Sequence, residues 1–108
     1  MPYIKKVFRS PMDSHIEALA KLAQTPGDLN YIISRLAALT LVYEGKSYNV
    51  LNALVGAFEC AKLELYRRVA APYEDLKVVD NGDVYDDVLQ LPAPVPSEAV
   101  HDHGNLNT

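Results

Sequence analysis

The 108-residue chain has a single cysteine, Cys60, and that scarcity excludes several scaffolds at once. An intrachain disulfide framework needs at least two thiols and a Cys-based structural zinc site needs several, so neither holds this fold together. A reducing compartment is expected. No run of about 18 uninterrupted apolar residues occurs, so no membrane-spanning helix and no membrane partner are expected. The opening Met1-Pro2-Tyr3-Ile4-Lys5-Lys6 lacks the apolar core of a signal peptide, which leads to the expectation of a soluble intracellular protein. Positive charge is scarce at the C-terminal end. Residues 73–108 carry one lysine against eight acids, a balance of −7, whereas residues 1–72 carry nine Lys+Arg against six Asp+Glu, a balance of +3. Duplex DNA is not an expected partner, because phosphate neutralisation needs a concentrated basic surface that the acidic segment would oppose. A phosphate loop, a serine nucleophile elbow and a dinucleotide fingerprint are missing too, and no cofactor is expected.

What is present is helix-forming pattern. Apolar residues make up 49% of the chain, enough for the core of one small domain, although a domain of this size is marginal without a partner. Ser10-Pro11-Met12-Asp13 supplies a capping serine, a proline at the first helical position and an early acid, so a first helix is expected from Ser10 to about Gln24. Its apolar stripe is Met12, Ile16, Leu19, Ala20 and Ala23. Thr25-Pro26-Gly27-Asp28 repeats the start signal for a second helix ending at Glu44-Gly45. This one carries Leu29, Ile32, Ile33, Leu36 and Leu39 on one side and Ala37, Ala38, Leu41 and Val42 on the reverse. A helix apolar nearly all round must be covered on all sides, and two neighbouring helices cannot do that, so a homo-oligomer is expected.

Ser47 opens a third helix expected to run to about Ala70, where Pro72 would prevent continuation. Beyond it, Leu76-Lys77-Val78-Val79 and Val84-Tyr85 flank Asp80-Asn81-Gly82-Asp83. Asn-Gly between β-branched residues is a hairpin signal, so a short C-terminal β-hairpin is expected. The proline-rich end after Leu91 is expected to be disordered. The resulting expectation is a mainly α protein: a three-helix bundle-like domain with a terminal hairpin over residues 1–90, and a flexible tail over 91–108.

No catalytic constellation emerges. His101 and His103 on a terminal tail make a weak metal site, and Asp80, Asp83, Asp86 and Asp87 lack the order of a calcium loop, so no metal is expected. Cys60 has no histidine near it in sequence to activate it. The most suggestive cluster is Tyr66-Arg67-Arg68 followed by Pro72-Tyr73-Glu74-Asp75. Two guanidinium groups at a helix end complement the macrodipole, and they also suit bidentate recognition of a phosphate or carboxylate, with a phenol as a stacking face. Successive helical residues point about 100° apart, so either one arginine is expected to brace Glu74-Asp75 while the other meets a ligand, or each serves a different copy in an oligomer. Lys62 falls inside the apolar stripe of the third helix, either covering the core edge with its methylenes, entering a buried ion pair or contacting the ligand. The candidate ligand-binding residues are therefore Tyr66, Arg67, Arg68, Tyr73 and Lys62.

The sequence resembles a family of small uncharacterised proteins encoded by tailed bacteriophages and prophages. The resemblance spans roughly residues 1–85. It rests on Met1-Pro2-Tyr3-Ile4, on Gly27-Asp28-Leu29-Asn30-Tyr31, and above all on the stretch from Glu59 to Asp75 with Tyr66-Arg67-Arg68-Val69-Ala70-Ala71-Pro72-Tyr73-Glu74-Asp75. Lys77 and Asn81-Gly82-Asp83-Val84-Tyr85 continue it. The proline-rich extension after Tyr85 departs from the pattern. The resemblance implies a phage origin and a place in the host bacterial cytoplasm. The leading expectation is a non-catalytic accessory protein for counter-defence or host takeover that sequesters a host nucleotide-like signal or a host protein. The alternatives are a structural or assembly module of phage replication or the virion, with the acidic tail as docking arm, and a small enzyme acting on a phosphorylated small molecule.

Overall fold

Capping and periodicity signals run through most of the chain, and the structure, a computed structural model that describes residues 2–92, is mainly helical. Among the described residues no strand occurs. Contacts divide the chain into two units, Met1–Ala61 and Lys62–Thr108. The first holds α1 (Lys6–Leu22), α2 (Pro26–Glu44) and most of α3 (Tyr48–Leu65). The second holds the end of α3, a π turn (Tyr66–Ala70), α4 (Ala71–Asn81) and the single-turn α5 (Asp86–Leu89).

In the first unit, α1 starts a full turn before Ser10. The Phe8 amide donates to the Lys5 carbonyl at 2.9 Å, and Arg9 Nε donates to the Ile4 carbonyl at 2.7 Å, so the chain before the helix is tied down without a side-chain cap. Pro11 is thereby left inside the helix rather than at its first position, past the amides that have no intrahelical partner, so it leaves the Val7 carbonyl without its helical donor. The start of α2 matches expectation in every part. Thr25 Oγ1 accepts the Asp28 amide at 3.0 Å, Asp28 Oδ2 accepts the Thr25 amide at 3.1 Å and the Gln24 amide at 3.0 Å, and Pro26 needs no partner. The helix stops where Gly45 takes φ 89°, a backbone state that disfavours any side chain. Ser47 then caps α3, its hydroxyl accepting the Val50 amide at 3.3 Å.

Two expectations fail in the second unit. Pro72 does not end the helix. The π turn lies just ahead of it, and the Ala71 amide reaches back five residues to the Tyr66 carbonyl. A proline ring inside an α-helix collides with the carbonyl four residues earlier, here that of Arg68; the wider turn changes the bonding partners at this point, and the chain continues into α4 with Pro72 in its first turn. The β-hairpin is absent as well. Leu76 to Val79 are helical, and Asn81-Gly82 serves as the stop of α4, with Gly82 at φ 90° and its amide bonded to the Val78 carbonyl at 2.9 Å. The same positive-φ requirement that makes Asn-Gly a hairpin turn makes it a helix terminus. Val84 and Tyr85 lead into α5. The expected tail falls, from residue 93 onward, outside the described residues, and His101 and His103 with it.

No described residue is buried. The best covered apolar positions of α2 and α3, Ile32, Ala37, Leu41, Val50 and Leu54, are half-buried, while Val42 stays 74% exposed and Tyr43 80%. Among the described residues no helix is long and apolar enough to cross a membrane.

Candidate functional site

The sequence cluster lies wholly within the second unit, on the end of α3, the π turn and the first turn of α4. Tyr66 opens the π turn and its phenol donates to Glu74 Oε2 at 3.0 Å, tying the turn to α4 across Pro72. This bond favours the protonated phenol and holds Tyr66 above its ordinary pKa. The negative charge of Glu74, partial desolvation, and the charges of Asp75 and Tyr85 act in the same direction.

Arg67 has an acidic partner on α3. Its guanidinium forks onto Glu64 one turn earlier, with Nη2 at 2.5 Å from Oε1 and Nε at 3.4 Å from Oε2. That Glu64 side chain is only 18% exposed, so the pair anchors the arginine along the helix. Arg68 is exposed and makes no hydrogen bond or ion pair among the described residues. Tyr73 holds the Lys77 ammonium over its ring at 5.4 Å, so one face of that phenol is engaged. Lys62 is exposed in the last turn of α3.

Of the five candidates, the structure thus gives Arg67 and Tyr66 acidic partners, gives Tyr73 a cation, and gives Arg68 no partner among the described residues. Glu64 and Lys77 join the cluster as the partners of Arg67 and Tyr73. Both were within reach of helical spacing, since Glu64 precedes Arg67 by three residues and Lys77 follows Tyr73 by four. The Tyr66–Glu74 bond, eight residues apart, was not, because it depends on the π turn. In the first unit an open groove of about 400 Å³ lies between the end of α2 and the start of α3, walled by Thr40, Val50, Ala53 and Leu54 with Glu44 and Asn49 at its polar side. Cys60 is exposed and free, and among the described residues no group of three or more His, Cys, Asp or Glu could hold a metal ion.

No curated protein and no solved structure matches the chain. Residues 1–84 match the family described as a domain of unknown function, DUF6899, and the chain belongs to that family.

Proposed function

We propose that this chain is a phage-encoded accessory protein that acts by binding as a homo-oligomer, and that it sequesters a nucleotide-like anion in the infected host's cytoplasm. The observation that carries the binding role is the uncovered apolar surface. A domain of this size should bury roughly two-thirds of the surface its unfolded chain exposes, yet no described residue of the single chain is buried. Phe8, Tyr31, Tyr43 and Tyr48 stand 62%, 63%, 80% and 79% exposed. At about 200 Å² each, these four alone present roughly 570 Å². A standard interface takes roughly 800 Å² from each partner, so a second copy has ample surface to cover. The anion reading is supported by Arg68, whose fork makes no hydrogen bond or ion pair among the described residues. Phage origin is supported by the resemblance over the same residues.

The test is native mass spectrometry of the protein isolated from infected cells. The expected result is a multimer carrying a small anionic ligand that is recovered unchanged after denaturation. Turnover of that ligand would replace the reading with an enzyme. Co-purification with phage components and no small ligand would replace it with an assembly module, and a retained host protein would make the sequestered target a macromolecule.

A further inference from the structure

Two segments of the chain are amphipathic, exposed and opposite in charge. At one end, residues 2–9 carry Lys5, Lys6 and Arg9 and no acid. The first turn of α1 also lacks the acidic residue that its macrodipole favours. Interleaved with these cations are Ile4, Val7 and Phe8, exposed by 40%, 70% and 62%. At the other end, residues 80–91 carry Asp80, Asp83, Asp86 and Asp87 and no cation. Their apolar members Val84, Val88, Leu89 and Leu91 are exposed by 76%, 76%, 58% and 46%. Asp83 is used locally, accepting the Tyr85 amide at 2.8 Å, and Arg9 is used on the Ile4 carbonyl. Lys5, Lys6, Asp80, Asp86 and Asp87 are exposed and have no ion pair or side-chain hydrogen bond among the described residues.

We propose that the basic end of one copy, residues 2–9, docks the acidic segment of a second copy, residues 80–91, making a head-to-tail interface. This rests on the self-association read above and says which surfaces meet. Each half alone has a feature that the single chain does not resolve: three cations crowd the positive end of a helix dipole, and four acids crowd twelve residues. Bringing them together relieves both like-charge clusters and covers both rows of apolar side chains. The contact uses different surfaces on the two copies, so it is heterologous, and it closes into a ring or runs on as a filament. Charge sets its register and the aliphatic side chains supply its burial.

The experiment uses charge exchange at the uncommitted positions only. One variant carries Lys5→Glu and Lys6→Glu, and the other carries Asp80→Lys, Asp86→Lys and Asp87→Lys. Each alone should associate at least about tenfold more weakly than the parent by analytical ultracentrifugation, because like charges then face each other. Mixed in equal amounts they should reassociate, since the reversed end of one fits the reversed end of the other and their unreversed ends still fit each other. Circular dichroism of each variant checks that it is helical, and the restored mixture excludes misfolding as the cause of the loss. The parent should also dissociate more readily as salt rises. Variants that assemble like the parent would overturn this interface while leaving self-association standing, and a monomeric parent would overturn both. Loss that the mixture does not repair, but that a single chain carrying all five reversals does, would place the contact within one chain and overturn the second-copy assignment.

Discussion

Pro26 and Pro72 both stand in the first turn of a helix, yet only one of them follows a break. At Pro26 the chain leaves α1, passes through an extended Thr25 and starts α2 with three amide hydrogen bonds satisfied by side chains of Thr25 and Asp28. At Pro72 there is no cap at all. Ala70 and Ala71 keep helical backbone angles although a residue before proline is biased away from them, and the orphaned groups are served by shifting the Ala71 amide to the Tyr66 carbonyl. The difference shows that proline stops a helix where neighbouring side chains can finish the hydrogen bonding. Where they cannot, here along Val69-Ala70-Ala71, the helix absorbs the ring in a wider turn.

The largest effect should come from removing the side chains that make the first junction a junction. Thr25→Ala together with Asp28→Ala leaves Pro26 in place but strips its caps, and should lower stability by about 2 kcal/mol, roughly 1 for each lost cap. Urea unfolding at fixed protein concentration measures this, fixed because association contributes to the midpoint. A loss below a few tenths of a kcal/mol would mean that the caps do not distinguish the two junctions.

Pro72→Ala tests the other side and should act with the opposite sign. Alanine restores a donor and removes the ring, so the turn can return to α-helical bonding and the helix should gain about 1 kcal/mol. That is less than the full proline penalty of about 3, because the π turn has already relieved part of it. The gain should come with loss of the Tyr66–Glu74 hydrogen bond, whose eight-residue span depends on the altered turn. Chemical shifts that keep the π pattern over Tyr66–Ala70 in this variant would show that something other than proline creates it.

Legibility follows the same line. Helix boundaries were readable where they are written in local hydrogen-bond chemistry, as at Thr25, Gly45 and Ser47. They misled where one residue type serves two geometries: Asn81-Gly82 is as good a helix stop as a hairpin turn, and the helical contacts of Leu76 to Val79 decided between them. Ser10-Pro11 misled because nothing in Val7, Phe8 and Arg9 opposes helix, so α1 extended past its best cap. At the candidate site, residue types identified the cluster and helical spacing could have supplied Glu64 and Lys77. The partner of Tyr66 required the turn itself, since a change from four-residue to five-residue bonding alters the angular position of every side chain beyond it.

The smallest effect concerns Tyr66, whose bond to Glu74 links the two sides of Pro72. Tyr66 is protonated when it donates to Glu74, and its pKa in the folded chain lies above the ordinary value near 10. Between the unfolded and folded values the folded state therefore holds a proton that the unfolded state has lost. Its contribution to stability is fully present below about pH 10 and disappears as pH rises through the folded value, so it is constant across the neutral range. Glu74→Gln keeps an acceptor and removes the charge, and should bring the Tyr66 titration midpoint, followed by the ring carbon resonance beside its hydroxyl, back toward its ordinary position. Pro72→Ala should do the same by separating the pair while leaving Glu74 charged. A midpoint that falls in the first variant but not in the second would mean that Glu74 acts on Tyr66 across a regular helix too. The π turn would then be a consequence of Pro72 with no part in holding the phenol.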